Sequence, residues 1–270
     1  MKKQTFFTIA LCCCGFMSWS QFDNKLSELG LKGKVSSLVE REYQLTNYDY
    51  NTKKEERKVT FLFNTNGFKT EEKYTNPAGE TLYLGTLKYA PSGELVEEKV
   101  NNYEQKKDFV KKYVTEAKEI TVNLAVESET PSIHEKYTLD LKNNVTQKLE
   151  YDRGEVIRTF KYSYNSAGKL QSETQQMPGL NINFRYTYNN KGQLTKKSEV
   201  NAAGKVLHTQ SYTYDANGNI VAEVTSYTND PQELRLTYKY VLDSAGNWTE
   251  KQEFMDGRLF SVITREISYY

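Results

Sequence analysis

Apolar and polar residues alternate with a period of two along most of this chain. In the segment from Ile182 to Tyr188, the side chains of Ile182, Phe184, Tyr186 and Tyr188 fall on one side, and those of Asn183, Arg185 and Thr187 on the other. Leu234, Leu236, Tyr238 and Tyr240 repeat the pattern, while returning segments such as 194–198 are more polar. Period two places successive side chains on opposite faces of a strand, and the alternation predicts one buried and one wet face. Clusters of Asn, Asp, Gly and Pro interrupt the alternating runs every 11 to 14 residues. Strands of about five to eight residues, separated by such clusters, predict an antiparallel hairpin meander.

Self-comparison shows a repeat. Tyr162-x-Tyr164 leads through Asn165-x-x-Gly168 to Leu170. Tyr186-x-Tyr188 leads through Asn189 and Gly192 to Leu194, and Tyr212-x-Tyr214 through Asp215 and Gly218 to Ile220. Tyr238-x-Tyr240 reaches Asp243, Gly246 and Trp248 after two extra residues. Earlier, weaker copies run from Phe61 to Gly67, from Leu87 to Gly93 and from Leu139 to Val145, and the good copies are 24 to 26 residues apart. Asn or Asp followed three residues later by Gly suits a type I turn, with the glycine in the left-handed region leading into a bulge. Gly67, Gly93, Gly168, Gly192, Gly218 and Gly246 are therefore read as structural turn positions. A second set of turns is expected at 76–79, 152–154, 177–179, 201–204, 229–231 and 255–257.

The motif Y-x-Y-D/N-x-x-G-x-L in tandem resembles the YD/RHS repeat family, convincingly from Tyr162 to Trp248 and more thinly from Phe61 to Val145. The resemblance implies extended antiparallel sheet, which in the family's large toxins wraps around a cargo domain. A chain of this length is too short to enclose such a cargo, so the repeat is carried over and the toxin activity is not. Small secreted proteins of this kind carry a sugar-binding label that rests on analogy.

The expected fold is all-β: a tandem β-hairpin meander forming a long curled sheet or repeat array, with a short N-terminal helix. Asp23 or Asn24 caps that helix, Leu26 and Leu29 give it an apolar stripe, and Gly30 ends it. Residues 1–20 are read as a leader, 21–60 as the helix and first strands, and 61–270 as the repeat array. Between Glu97 and Glu129 no glycine occurs, and strands are expected there with a small helical tendency around 106–118.

Composition adds the compartment. Lys2 and Lys3, an apolar run from Phe6 to Met17 and the small residues Ser18 and Ser20 make a secretory signal peptide. The run is too short to span a bilayer, and no later stretch reaches transmembrane length. All three cysteines, Cys12 to Cys14, lie inside it. The residues before them (Leu11, Cys12, Cys13) are not small, so lipid anchoring is not expected. The mature chain has no thiol for a disulfide, metal or nucleophile. Removing Lys2 and Lys3 takes the formal charge from +1 to −1 with both signs interspersed, and nucleic acid is not an expected partner. The mean hydropathy of −0.75 alone suggests disorder, but 21 Tyr and 12 Phe fit half-buried strands.

No constellation argues for catalysis. His134 and His208 have no ligand spacing, the Asn/Asp-Gly sites lack later calcium ligands, and Glu97-Glu98 and Glu55-Glu56 read as solvated strand positions. No cofactor or metal is expected. The tyrosines of the repeat (Tyr162, Tyr164, Tyr186, Tyr188, Tyr212, Tyr214, Tyr238 and Tyr240) are the candidate binding residues, able to stack on sugar rings. The competing reading, which is favoured, makes them the apolar face of the sheet. The expected function is a secreted, non-enzymatic β-repeat protein of the cell envelope with a surface for carbohydrate or an envelope protein. The alternatives are a structural accessory component offering a sheet edge, and a secreted hydrolase.

Overall fold

The computed structural model describes residues 25–126 and 130–270. The leader, the cysteines and the capping residues Asp23 and Asn24 lie outside them. Eighteen strands follow one another: β1 (Val35–Gln44), β2 (Lys54–Phe63), β3 (Lys69–Thr75), β4 (Thr81–Tyr89), β5 (Leu95–Asn102), β6 (Lys107–Glu116), β7 (Glu119–Val126), β8 (Ser132–Leu139) and β9 (Val145–Asp152). The second half comprises β10 (Glu155–Tyr164), β11 (Leu170–Met177), β12 (Leu180–Tyr188), β13 (Leu194–Val200), β14 (Val206–Tyr214), β15 (Ile220–Tyr227), β16 (Asp230–Leu242), β17 (Trp248–Met255) and β18 (Arg258–Tyr269). Every consecutive pair is antiparallel, and β1 pairs with both β2 and β18. The meander therefore closes into a barrel. The all-β antiparallel hairpin meander is as expected, its sheet curled until the two ends pair, and with every described strand paired on both sides no sheet edge is left among the described residues for a partner strand.

The turns explain the hairpins. At Asn64 the backbone N–H of Gly67 donates to the Asn64 carbonyl, and that of Asn64 donates to the Phe68 carbonyl. The Asn64 side chain accepts the N–H groups of Asn66 and Phe68 at 3.0 Å each. The same arrangement recurs at Asp140, Asn189 and Asp243. The six repeat glycines have φ between 73° and 90°. A register shift follows each of these turns, for example between Ser163 and Tyr164, where Tyr164 opposes Leu170 and Ser163 opposes Ser172. This bulge turns the Leu or Ile after the glycine onto the same face as the tyrosines.

The register defines that face. Tyr162 lies opposite Glu173, Glu173 opposite Phe184, Tyr186 opposite Lys197, and Tyr212 opposite Glu223. Leu38, Ile120 and Val122, on the same face, are 0% exposed. Their neighbours along the strands alternate with exposed cations: Lys99 beside Val100, Lys112 beside Tyr113, Lys161 beside Tyr162. On a convex wall side chains diverge, and no described element lies over β7. Complete burial there identifies the tyrosine face as the concave, inward one. Its larger apolar cluster runs over β4 to β11 and includes Leu87, Tyr113, Ile120, Tyr137, Phe160 and Leu170. A second cluster joins Leu38, Val59 and Phe61 to Leu26, Leu29 and Leu31 of the N-terminal segment.

The N-terminal segment departs from expectation. Leu26–Leu29 is one 3-10 turn, not a longer helix. It is held by tertiary bonds: Leu26 N–H donates to the Gly67 carbonyl, and the Arg265 guanidinium donates to the Leu29 carbonyl at 3.0 Å. Residues 107–116, given a helical tendency from charge and absent glycine, form β6 instead. Tyr113 there faces inward and Val114 outward, so the pairing with β5 and β7 wins over local propensity.

Candidate functional site

The eight repeat tyrosines all point inward and divide into two rows. The second tyrosine of each pair donates its hydroxyl to the first carbonyl of the strand before its own partner turn. Tyr164 reaches Val145 at 2.7 Å, Tyr188 reaches Leu170 at 2.9 Å, Tyr214 reaches Leu194 at 2.6 Å and Tyr240 reaches Ile220 at 2.7 Å. Tyr89 does the same to Lys69 at 2.7 Å. Each bond spans about 20 residues and ties one hairpin to the preceding one. The first tyrosines sit deeper. Tyr162 and Tyr212 are buried; Tyr186 donates to Glu173 at 2.6 Å, and Tyr238 approaches Glu223 at 3.4 Å.

Between these rings the inward wall carries alternating charge. Glu98 meets Lys111 at 3.2 Å and accepts from Tyr113 at 3.0 Å. The reading of Glu98 as a solvated position is corrected by its inward register opposite Leu87; Glu97 faces outward, with Lys88 at 2.9 Å. Lys148 bridges Glu135 at 3.0 Å and Glu150 at 2.8 Å, and Arg158 lies 3.3 Å from Glu150. Lys197 sits over Phe184 at 4.3 Å, and Arg265 pairs with Glu40 at 2.9 Å while stacking 3.5 Å from the Trp248 ring. His208 faces inward, with Glu199 at 3.2 Å and the Tyr227 ring at 5.5 Å. These carboxylates were missed because they lie between lysines in polar-looking strands; their signal was the period-two register with the tyrosines.

Burial, reinforced by neighbouring carboxylates, pushes the hydroxyls of Tyr74, Tyr83, Tyr113, Tyr137, Tyr162 and Tyr186 well above the usual tyrosine range. Glu135 is pushed up by burial but held below its ordinary value overall by the Lys148 charge and the Tyr137 and Lys148 hydrogen bonds. Glu223 goes the other way: burial and then the Glu253 charge raise it, against Tyr238 and Lys251. Glu253 is 2% exposed, with the Lys251 ammonium 2.8 Å from an oxygen that no hydrogen bond aligns. Among the described residues, no group of three or more His, Cys, Asp or Glu converges as a metal site.

The inward face is buried toward the end that carries the repeat turns and wet toward the other. Tyr227, at the far rim, is 54% exposed, and Leu180 and Met255 there are exposed too. Outside, the wall is mainly polar, with single exposed apolar residues such as Leu62, Val114 and Val241. Lys88, Lys99, Lys112, Lys161, Arg185 and Lys196 stand exposed on outward positions, interleaved with Thr, Ser and Asn.

A family model described as "Uncharacterised protein" matches residues 130–268. No curated protein matches the sequence. Among solved structures, the chain is similar to a porin-like protein from Bacteroides uniformis, with 17% identity, 88% of this chain and 99% of that chain covered, and a TM-score of 0.48. A porin-like protein from Bacteroides vulgatus has 12% identity, covers 73% and 97% of the two chains, and has a TM-score of 0.42. The TcdB2-TccC3 complex has 14% identity over 82% of this chain and 13% of that chain, with a TM-score of 0.41. None of these likenesses bears on activity.

Proposed function

We propose that this chain, a member of the family whose model matches residues 130–268, is an exported, non-enzymatic β-barrel of the cell envelope that stands in water and presents its outer wall for binding glycans or proteins. The observation that carries this reading is the direction of the two faces. A barrel that crosses an outer membrane turns an apolar band outward and its polar residues inward. Here the aromatic face is inward and the cations are outward. Lys58, Lys73, Lys99, Lys112, Lys136 and Arg185 occupy outward positions near the middle of their strands. At roughly 2–4 kcal/mol each near a bilayer midplane, six such cations oppose insertion by about 12–24 kcal/mol.

The inward chemistry supports a structural and not a catalytic role for that face. Glu98, Glu135, Glu150 and Glu173 are each engaged by a cation or a hydroxyl, which leaves none of these four poised as a free acid or base. The test is to export the full chain and follow it through carbonate extraction, detergent phase partition and planar-bilayer conductance. Release into the aqueous fraction without conductance is expected. Retention as an integral protein, or discrete channels, would overturn the reading. An accessory role that consists of binding another envelope protein is the second reading. It is favoured by the exposed far rim around Tyr227 and Leu180, and it requires side-chain docking because the closed sheet leaves no strand to add to.

A further inference from the structure

Charge is not spread evenly around the outer wall. On β2 to β8 outward carboxylates stand among the outward cations: Glu97 meets Lys88 at 2.9 Å and Glu119 meets Lys136 at 3.3 Å. On β10 to β14 they are not. The acidic residues of these five strands are Glu155, Glu173 and Glu199. Glu173 and Glu199 face inward opposite Tyr162 and His208, and Glu155 begins β10 at the far rim. From Thr159 to Thr213, the outward positions therefore hold Lys161, Arg185 and Lys196 with no carboxylate among them.

What lies between the cations is a lattice of hydroxyl and amide groups. Ser163 and Ser172 meet at 2.7 Å, Thr174 donates to Asn183 at 3.0 Å, and Ser198 and Thr209 meet at 3.3 Å. No outward position of this stretch is aromatic. Five strands at their ordinary spacing make a face about 19 Å across, the span of an oligosaccharide a few residues long.

We propose that the outward face of β10–β14 is a docking surface for a linear acidic polysaccharide, with Lys161, Arg185 and Lys196 meeting its carboxylates and the Ser/Thr/Asn lattice meeting its hydroxyls. The occupant follows from complementarity. Cations without local counter-charges attract an anionic polymer. The hydroxyl lattice matches a sugar backbone, whereas single-stranded nucleic acid would call for aromatic stacking platforms that this face lacks. A lipid surface would call for apolar side chains to enter it, and those exposed on these strands, Val156, Ile157, Val206 and Leu207, sit at the far rim beyond the cations. The proposal rests on the reading of the barrel as standing in water, since it needs this wall exposed.

The test uses the full exported chain with polygalacturonate as probe, and with neutral dextran and oligo-dT as comparators. Saturable binding to polygalacturonate is expected, weakening by roughly tenfold between about 50 and 200 mM salt, with none to dextran. Combining Lys161→Gln, Arg185→Gln and Lys196→Gln is expected to weaken it at least about tenfold. Combining Lys58→Gln, Lys73→Gln and Lys99→Gln, on the opposite side, leaves it within about twofold; outward surface substitutions of this kind shift stability by only about 0.5 kcal/mol each. Should the first triple variant melt early, Arg185→Gln alone carries the comparison. Equal binding to dextran, tighter binding to oligo-dT, or equal losses in both triple variants would overturn the proposal. A chain that is water-soluble in the extraction assay yet ignores polygalacturonate removes this inference alone; a chain that stays in the membrane removes the reading beneath it.

Discussion

The second tyrosine of each repeat gives a sharp quantitative test. Tyr164, Tyr188, Tyr214 and Tyr240 each donate to a carbonyl 18 to 20 residues earlier, at 2.6 to 2.9 Å. Replacing each by Phe keeps the ring and deletes the hydroxyl, so packing is preserved and the carbonyl loses a partner. One such bond contributes about 1 kcal/mol net. The four lie in successive repeats and donate to four different carbonyls, so their losses should add. The quadruple variant is expected to lose about 4 kcal/mol, and at roughly 2–4 °C per kcal/mol for a chain of this size its Tm falls by about 8–16 °C. Far-UV dichroism melts and urea titration on the single and quadruple variants measure both. A quadruple variant that loses less than about 1 kcal/mol, with a normal m-value, would refute the claim that these hydroxyls tie hairpin to hairpin. Tyr162→Ala is the packing control: an aromatic truncation in the inward cluster is expected to cost about 3–5 kcal/mol, and a stable variant would place that ring outside the core.

Three further outcomes follow from the same geometry. Asn247 accepts from Lys32 N–H at 2.7 Å and donates to the Lys32 carbonyl and the Tyr269 hydroxyl at 2.9 and 2.7 Å; Asn247→Asp loses both donations and should cost about 2–4 kcal/mol, with earlier proteolysis near Leu31, while an unchanged melt refutes it. Burial raises Tyr113, Tyr137, Tyr162 and Tyr186, so the fold favours their neutral form; their contribution is complete below about pH 10 and is lost as pH rises further. Tyrosinate absorbance should therefore rise together with loss of dichroism, and ionisation of these groups near pH 10 in an intact fold would contradict it. Glu223 is raised by burial and then by Glu253, so its ionisation costs stability as pH climbs past the ordinary value of 4.5. Glu223→Gln should gain on the wild type between pH 4 and 7 in urea titrations; an equal deficit at both pH values is the contrary result.

The sheet was legible because its rules are local. Period-two alternation and Asn/Asp-x-x-Gly turns act within one hairpin, and they describe an all-β antiparallel meander before any long-range contact is considered. Closure was not legible, because it depends on residues some 225 positions apart. Glu40 on β1 and Arg265 on β18 face each other across the closing pair at 2.9 Å, and neither belongs to the repeat. The two extra residues in the last repeat looked like an irregularity. In the structure they lengthen β16 to 13 residues and set the following turn against the N-terminal segment, where Asp243 takes the Tyr269 hydroxyl and Asn247 takes Lys32. In the repeats beginning at Asp140 and Asp215, the equivalent Asn144 and Asn219 bond their own aspartate instead.

The candidate surface shows the same division between local and global information. A formal charge near zero with both signs interspersed gives no preferred partner when the chain is read as a line. Folding separates the signs by parity. Glu173 and Lys161 are 12 residues apart, yet one faces the tyrosines and the other faces solvent, because each sits on a different parity of adjacent strands. A one-residue slip of register would exchange them, putting Lys161 into the aromatic cluster and Tyr162 into water. The inward tyrosines, candidate binding residues whose favoured reading was the apolar face of the sheet, are thus what fixes the register that turns the cations of β10–β14 outward. The repeat's conspicuous aromatics hold the barrel, and its inconspicuous Lys, Ser, Thr and Asn positions form the face proposed for docking.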